Sequence, residues 1–250
     1  MDDLELLLTS LKQAGKIATG FHRKSPKVWE KPDGTLVTEA DYAVDTYLKT
    51  TITTARPGDG WLSEETPDTP ARLDKKRLWI VDPIDGTRAF HDGMRFWGIG
   101  VALTENGAPI LSGIYCPVDD LMYHAVKGGG AFRDGLKLTS PDSLGHAIVP
   151  KLAKHAVETA GLPTQVSSSW PMLLRFALIA EGANPAAISI GHKQDWDLAA
   201  GVLLVTETGG VVTTQSGEPL CFNQREHMQP GLVAAQQKWH DKLQTAVSKL

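Results

Sequence analysis

The feature that most constrains this chain is the stretch Trp79-Ile80-Val81-Asp82-Pro83-Ile84-Asp85-Gly86-Thr87. Leu78-Trp79-Ile80-Val81 is an apolar run with the length of a buried strand, and it stops abruptly at two carboxylates three residues apart. Pro83 has no amide hydrogen for a sheet and keeps the residue before it out of helical conformation, so a strand ending here can point both acids past its end. Gly86 lets the backbone approach a ligand closely, and a helix opening at Thr87 would aim free amides at an anion. Two such carboxylates are hard oxygen ligands of the kind Mg²⁺ takes while keeping several waters and binding substrate phosphate. The plain alternative is a Pro/Asp/Gly turn with solvated acids, because these residues favour turns for conformational reasons alone.

Hydrophobic periodicity places this stretch between other elements. Leu4, Leu7, Leu8, Leu11, Ala14, Ile17, Ala18 and Phe21 repeat with helical spacing over residues 3 to about 22. Thr38-Glu39-Ala40-Asp41 opens a second helix, with Thr38 as N-cap, Asp41 reaching back, and Asp45 one turn further on the same face. Residues 79 to 126 read as short strands divided by Asn106-Gly107 and Pro117-Val118-Asp119-Asp120 turns, which predicts an antiparallel sheet with helices on one face. Beyond a soft boundary near Ser140-Pro141, strand-like segments at 147–149, 187–190, 211–212 and 232–235 alternate with helical ones at 151–160, 172–180, 197–208 and the C-terminus. That alternation predicts a mostly parallel sheet. The expected fold class is α/β, with an α+β N-terminal half over 1–140 carrying most of the acids. The C-terminal half, 141–250, is expected to supply Asp197.

Composition narrows the partners. A chain of 250 residues, 42% hydrophobic and 22% charged, can bury a substantial core. A net charge of −4 gives no sign of a binder of nucleic acid polymers or membrane surfaces, so an anionic substrate must be met locally by metal ions or amides. Cys116 and Cys221, without CxxC spacing, offer no disulfide framework. The start, Met1-Asp2-Asp3-Leu4-Glu5, is acidic where a signal peptide is basic, and no apolar run reaches the roughly 20 residues that span a bilayer. The expected location is the cytoplasm.

Two further segments bring acids to join the central pair. Ser63-Glu64-Glu65 follows a possible strand, where neighbouring side chains alternate, so one glutamate would face a site. Asp195-Trp196-Asp197 opens a helix, where Asp197 taken alone reads as a cap. Glu64, Asp82, Asp85 and Asp197 together are enough carboxylate for two or more Mg²⁺ ions. Rival phosphatase chemistries fit less well. Haloacid-dehalogenase-type enzymes place a nucleophilic aspartate in D-x-D-G-T at a strand end. D-P-I-D-G-T is one residue longer, which changes the acid that faces the site. There is no Walker glycine loop, zinc-spaced His/Cys set or G-x-S-x-G elbow, and Lys127-Gly128-Gly129-Gly130 reads as a hairpin turn.

In order along the chain, Val37-Thr38-Glu39-Ala40-Asp41, Ser63-Glu64-Glu65, Asp82-Pro83-Ile84-Asp85-Gly86-Thr87, Trp196-Asp197-Leu198-Ala199-Ala200-Gly201 and Glu207-Thr208-Gly209-Gly210 match a set of known motifs. They resemble those of the inositol monophosphatase superfamily of Mg²⁺-dependent, often lithium-sensitive phosphatases. The resemblance covers positions 37 to 210, most of the chain. It implies an αβαβα layered sandwich and a homodimer. It also implies two or three Mg²⁺ ions held by Glu64, Asp82, Asp85, Asp197 and the Ile84 carbonyl, with Glu65 secondary. Thr87 is placed beside Asp41 to polarise the attacking water, so Glu64, Thr87 and Asp41 become the catalytic residues. Asp85, Gly86, Thr87 and Asp197 also meet the substrate, and in-line attack by activated water needs no covalent intermediate.

Departures from the inositol pattern bear on the substrate. Inositol-specific members carry a glutamate shortly before the W-D aspartate, where it accepts hydrogen bonds from substrate hydroxyls. Here Ser189-Ile190-Gly191 holds no acid. With L-S-E-E in place of G-E-E, and glycine at 191, the expected substrate is a 3'(2'),5'-bisphosphate nucleotide, ahead of inositol 1-phosphate or another sugar phosphate. His192 and Lys193 would then meet the second phosphate, the alternative being a solvated loop. Ser167-Ser168-Ser169 reads as a helix cap before a substrate contact. A non-catalytic metabolite-binding descendant would have lost a metal ligand or Thr87, and this chain keeps every one.

Overall fold

A computed structural model of the protein describes residues 1–139, 145–167 and 170–250. The boundary expected at Ser140-Pro141, and the residues Ser168 and Ser169, lie outside the described residues. Helix α1, Asp3–Phe21, follows its apolar spacing and is capped by Asp2, whose carboxylate accepts from the Glu5 amide at 2.8 Å. A hairpin of β1, Val28–Glu30, and β2, Leu36–Thr38, leads into α2, Glu39–Ala55. The Thr38 hydroxyl accepts from the Ala40 amide, and the Asp41 carboxylate accepts from the Thr38 amide at 2.8 Å, the capping box expected there.

The first sheet has seven strands in chain order. They are β3 Gly60–Ser63, β4 Arg77–Asp85, β5 Gly98–Glu105, β6 Ala108–Cys116, β7 Leu121–Val126, β8 Gly130–Arg133 and β9 Leu136–Lys137. The short helix α3, Thr87–His91, joins β4 to β5. Every pairing is antiparallel except β3 with β4. Alternation along β4 sends Trp79 and Val81 into the layer formed by α1 and α2, and Leu78 and Ile80 to the opposite face.

The C-terminal part continues with β10 Ala147–Val149, α4 Lys154–Thr159, β11 Thr164–Val166, α5 Met172–Ala180 and β12 Ala186–Ser189. After β13 Lys193–Gln194 come α6 Asp195–Thr206, β14 Gly210–Thr214, β15 Met228–Gln229, β16 Leu232–Gln236 and α7 Gln237–Val247. The second sheet has the order β11-β10-β12-β16-β14, and β13 pairs separately with β15. This sheet is mixed: four of its five strands share one direction and β16 alone is reversed. β10 runs parallel to β11 and β12, but β16 is antiparallel to both its neighbours, β12 and β14. Helices α4, α5 and α6 carry the chain back between successive strands and keep those parallel. No helix separates β14 from β16, so that strand returns reversed.

Helices α5 and α6 fill the space between the sheets, where Phe176, Leu198 and Leu204 meet Leu78 and Ile80 on one side and Leu232 and Ala234 on the other. The outer face of the second sheet, through Val149, Ile188 and Val233, packs on Val157 of α4 and Leu243 of α7. The layers are therefore α1/α2, sheet, α5/α6, sheet, α4/α7, the αβαβα sandwich. No helix among the described residues is long and apolar enough to cross a membrane. The middle layer is tight, because a Cβ at Gly201 of α6 would lie 1.9 Å from Phe176 Cδ2 of α5. Gly201→Ala is expected to cost about 1–3 kcal/mol by forcing the helices apart. A urea midpoint equal to wild type would show that the Phe176 ring moves aside without penalty.

Candidate active site

β4 carries the two central acids, and it does not stop at Asp82 as its sequence suggests. It runs through Pro83 to Asp85, with Asp82 opposite Gly100 and Asp85 opposite Gly98, so one strand takes one residue more than its partner. On a regular strand, side chains three apart point to opposite faces. The bulge corrects that parity, and both carboxylates reach one cavity. Pro83 sits where the ladder is already broken and its missing amide costs nothing. The turn closes through Gly86, whose φ is +95° and whose absent Cβ would stand 2.6 Å from Pro171 Cγ and 3.1 Å from the Phe96 carbonyl oxygen. Helix α3 opens immediately after it, at Thr87.

The cavity holds about 260 Å³ and is lined by Glu64, Asp82, Ile84, Asp85, Gly86, Thr87, Arg88 and Asp197, with Gly34 and Thr35 of the β1–β2 turn and Leu36 of β2 as a further wall. A larger groove, about 820 Å³ between α4 and α7, contains none of these acids. Asp85 is held by the start of α5, accepting from the Leu173 amide at 2.6 Å and the Met172 amide at 3.3 Å. Asp197 accepts from the Gln194 amide at 3.1 Å. The Thr87 hydroxyl is 3.2 Å from Asp41 Oδ1 and 3.1 Å from the Ile84 carbonyl oxygen, so the expected Thr87–Asp41 pair is in contact.

Several residues given no role by the sequence hold this arrangement. Lys31, in the β1–β2 turn, donates to Glu64 and Glu65 at 2.7 Å each. Asp45, one turn beyond Asp41, accepts from the Ser63 hydroxyl and from the Thr66 hydroxyl at 2.7 Å, anchoring the loop that carries both glutamates. The shared face of Asp41 and Asp45 was the one available signal. Further on, buried Arg72 donates to Asp68 at 2.7 Å, Asn223 Oδ1 at 2.8 Å and the Gln224 carbonyl at 2.9 Å. The Asn223 amide in turn donates to Asp195 Oδ2 at 3.2 Å, so the loop after Glu65 is tied to the start of α6. Of the two residues expected at a second phosphate, Lys193 is half-buried and its charge acts on Asp85 and Asp197. His192 is exposed and does not line the cavity.

The acids pay for their proximity in the electrostatic sense that each resists ionising. Burial, then Asp197, pushes Asp85 up to about 7 against the opposing Leu173 amide and Lys193. Burial also raises Asp197 to about 6, with Lys193 opposing and Glu64 adding. Asp82 is raised well above the usual carboxylate range by burial and then by Glu64, Asp85 and Asp197. Asp41 goes to about 6 and Glu65 to about 7, chiefly through burial. Lys31 loses by burial, but Glu64 and Glu65 outweigh that and hold its pKa above the ordinary value. No three His, Cys, Asp or Glu side chains among the described residues form a ready-made metal cluster. The donors still suit a hard divalent cation, because Asp82 is only 2% exposed and its Oδ1 is buried with no hydrogen-bond partner. A carboxyl oxygen left bare among acids that resist ionising is what such a cation satisfies.

A layered αβαβα chain with acids converging at a strand end beside a Thr–Asp pair has the architecture of a phosphomonoesterase. The chain belongs to the inositol monophosphatase family, whose model matches residues 4–250. It is 30% identical over 238 residues to the 3'(2'),5'-bisphosphate nucleotidase CysQ of Aggregatibacter actinomycetemcomitans, covering 89% of this chain and 88% of that one. It is 32% identical over 236 residues to the histidinol-phosphatase of Mycobacterium tuberculosis, covering 86% and 88%. Among solved structures, the extragenic suppressor protein suhB of Bartonella henselae matches with a TM-score of 0.81 and 26% identity over 98% of each chain. The phosphatase class and the fold expected from the motifs are thus borne out, and this family hydrolyses phosphate monoesters of small metabolites.

Proposed function

We propose that the protein is a Mg²⁺-dependent phosphate monoesterase acting on a small phosphorylated metabolite, with a 3'(2'),5'-bisphosphate nucleotide as first substrate. The observation that carries the reading is the bare, buried Asp82 oxygen in a cavity shared with Glu64, Asp85 and Asp197. Glu64, Asp82, Asp85, Asp197 and the Ile84 carbonyl would hold the metal, which when bound neutralises phosphate charge and activates water. The chain's own groups supply the positioning. Asp41 accepts the Thr87 hydroxyl hydrogen bond and so fixes where that hydroxyl can orient an attacking water. The amides of Met172 and Leu173 lock the Asp85 carboxylate, and Lys193 adds positive charge on the Asp197 side. Glu65 and Lys31 back Glu64 from the loop side. The same reading makes the enzyme lithium-sensitive, cytoplasmic and a homodimer.

The test is phosphate release with Mg²⁺ on adenosine 3',5'-bisphosphate, histidinol phosphate and inositol 1-phosphate at equal concentrations, repeated after chelation. Release that chelator abolishes and Mg²⁺ restores is the expected result. Absence of hydrolysis across the panel would remove the enzymatic reading, and a preference for inositol phosphate would overturn only the substrate.

A further inference from the structure

We propose that the face formed by Arg88, Met94, Phe96 and Trp170, beside the phosphate cavity, binds a planar nitrogen heterocycle on the leaving group. The inference rests on the phosphatase reading above and names the chemistry that selects among its substrates. A second cavity of about 450 Å³, lined by Gly86, Arg88, Ala89, Asp92, Met94, Phe96 and Trp170, adjoins the first, with which it shares Gly86 and Arg88. A phosphate held in the first therefore leaves its ester group at the mouth of the second.

The walls suit a flat ring. Phe96 and Trp170 stack on each other, with centroids 5.2 Å apart and planes inclined by 29°. Phe96 nonetheless remains 43% exposed and Met94 50%, an apolar surface that the core does not use. The Arg88 guanidinium has no ion pair or side-chain hydrogen bond among the described residues, although it borders both cavities. Asp92 adds an exposed carboxylate that can accept from a ring N–H or an exocyclic amine. A polyol would find aromatic faces here and few acceptors, whereas a purine or an imidazole finds stacking, a cation and an acceptor together.

The face is also held in place before any ligand arrives. The Met94 carbonyl accepts from His22 Nε2 at 2.9 Å, and the Gly93 carbonyl accepts from Arg23 Nε at 3.0 Å. The buried Arg175 donates through Nε to the Trp170 carbonyl at 2.9 Å. A preformed aromatic wall spares the ligand the cost of ordering it.

The experiment compares the wild type with Phe96→Ala and Phe96→Trp, using Mg²⁺-supported hydrolysis of adenosine 3',5'-bisphosphate, histidinol phosphate and ringless glycerol 2-phosphate. Wild type should prefer a ring-bearing ester. Phe96→Ala should raise the KM of that ester relative to glycerol 2-phosphate about tenfold, the worth of a lost stacked ring, and Phe96→Trp should restore the ratio. An unchanged ratio overturns the subsite and leaves the phosphatase reading intact. So does a shift of Phe96→Ala from dimer to monomer in sedimentation with the ratio unchanged, which would make this face a contact between two copies of the chain. Wild type that hydrolyses none of the three esters overturns the phosphatase reading and this inference with it.

Discussion

Asp85→Asn is expected to give a folded chain that releases phosphate at least about 10³-fold more slowly, a loss of roughly 4 kcal/mol in transition-state stabilisation. The two costs separate because Asp85 does two jobs. As a structural acceptor it takes the Met172 and Leu173 amides, and asparagine can keep one of these bonds while losing the other. That costs about 1–3 kcal/mol, partly offset because removing a charge relieves repulsion with Asp197. As a charge, it has no substitute. A neutral amide at the end of β4 weakens a hard cation's hold where Asp82 and Asp197 already strain to ionise. Saturating Mg²⁺ kinetics with a thermal melt measures both. Near-normal turnover at normal metal content would remove Asp85 from the site.

Arg72→Ala is expected to have the largest effect on stability, about 2–4 kcal/mol, because it removes a buried guanidinium from several acceptors at once, whereas its ion-pair partner Asp68 is exposed and solvated. The side chain is 2% exposed, and its loss strands the Asn223 side-chain oxygen together with the Gln224 and Arg225 carbonyls. Because the clasp joins the loop following Glu65 to the segment touching Asp195, the spacing between Glu64 and Asp197 should slacken as well. The apparent Mg²⁺ requirement for activity should therefore rise along with the loss in unfolding free energy. A loss below about 1 kcal/mol in urea would mean that solvent replaces the guanidinium without penalty.

How much of this was legible beforehand depends on where each interaction is encoded. Asp82, Asp85, Glu64, Asp197, Asp41 and Thr87 each stand in a local pattern, a strand end, a capping box or a helix start, and the structure gathers them at or beside one cavity; that Thr87 meets Asp41 came only from the family resemblance. Lys31 offered no such signal, since a lysine in a polar hairpin is ordinary until folding brings it against partners 33 and 34 residues further along the chain. Met172 and Leu173 act through backbone amides, which side-chain identity does not report. Arg72 is opaque for a similar reason, because its acceptors other than Asp68 lie more than 150 residues further on. The reversed direction of β16 was hidden because local periodicity marks a strand without marking its direction; only the missing crossover helix before it does so.

The bulge between Asp82 and Asp85 makes the number of residues separating the two acids a heritable quantity in its own right. Substitution at position 83 or 84 would perturb the packing while leaving the count intact. Deleting one residue would instead return β4 to regular alternation against Gly100 and Gly98, with the acids two apart and no extra residue to accommodate. The chain could still form a sheet, but its glycine turn, α3 and Thr87 would all arrive one residue early against Asp41 and Pro171. A lineage carrying this site can therefore drift in the spacer's composition far more freely than in its length.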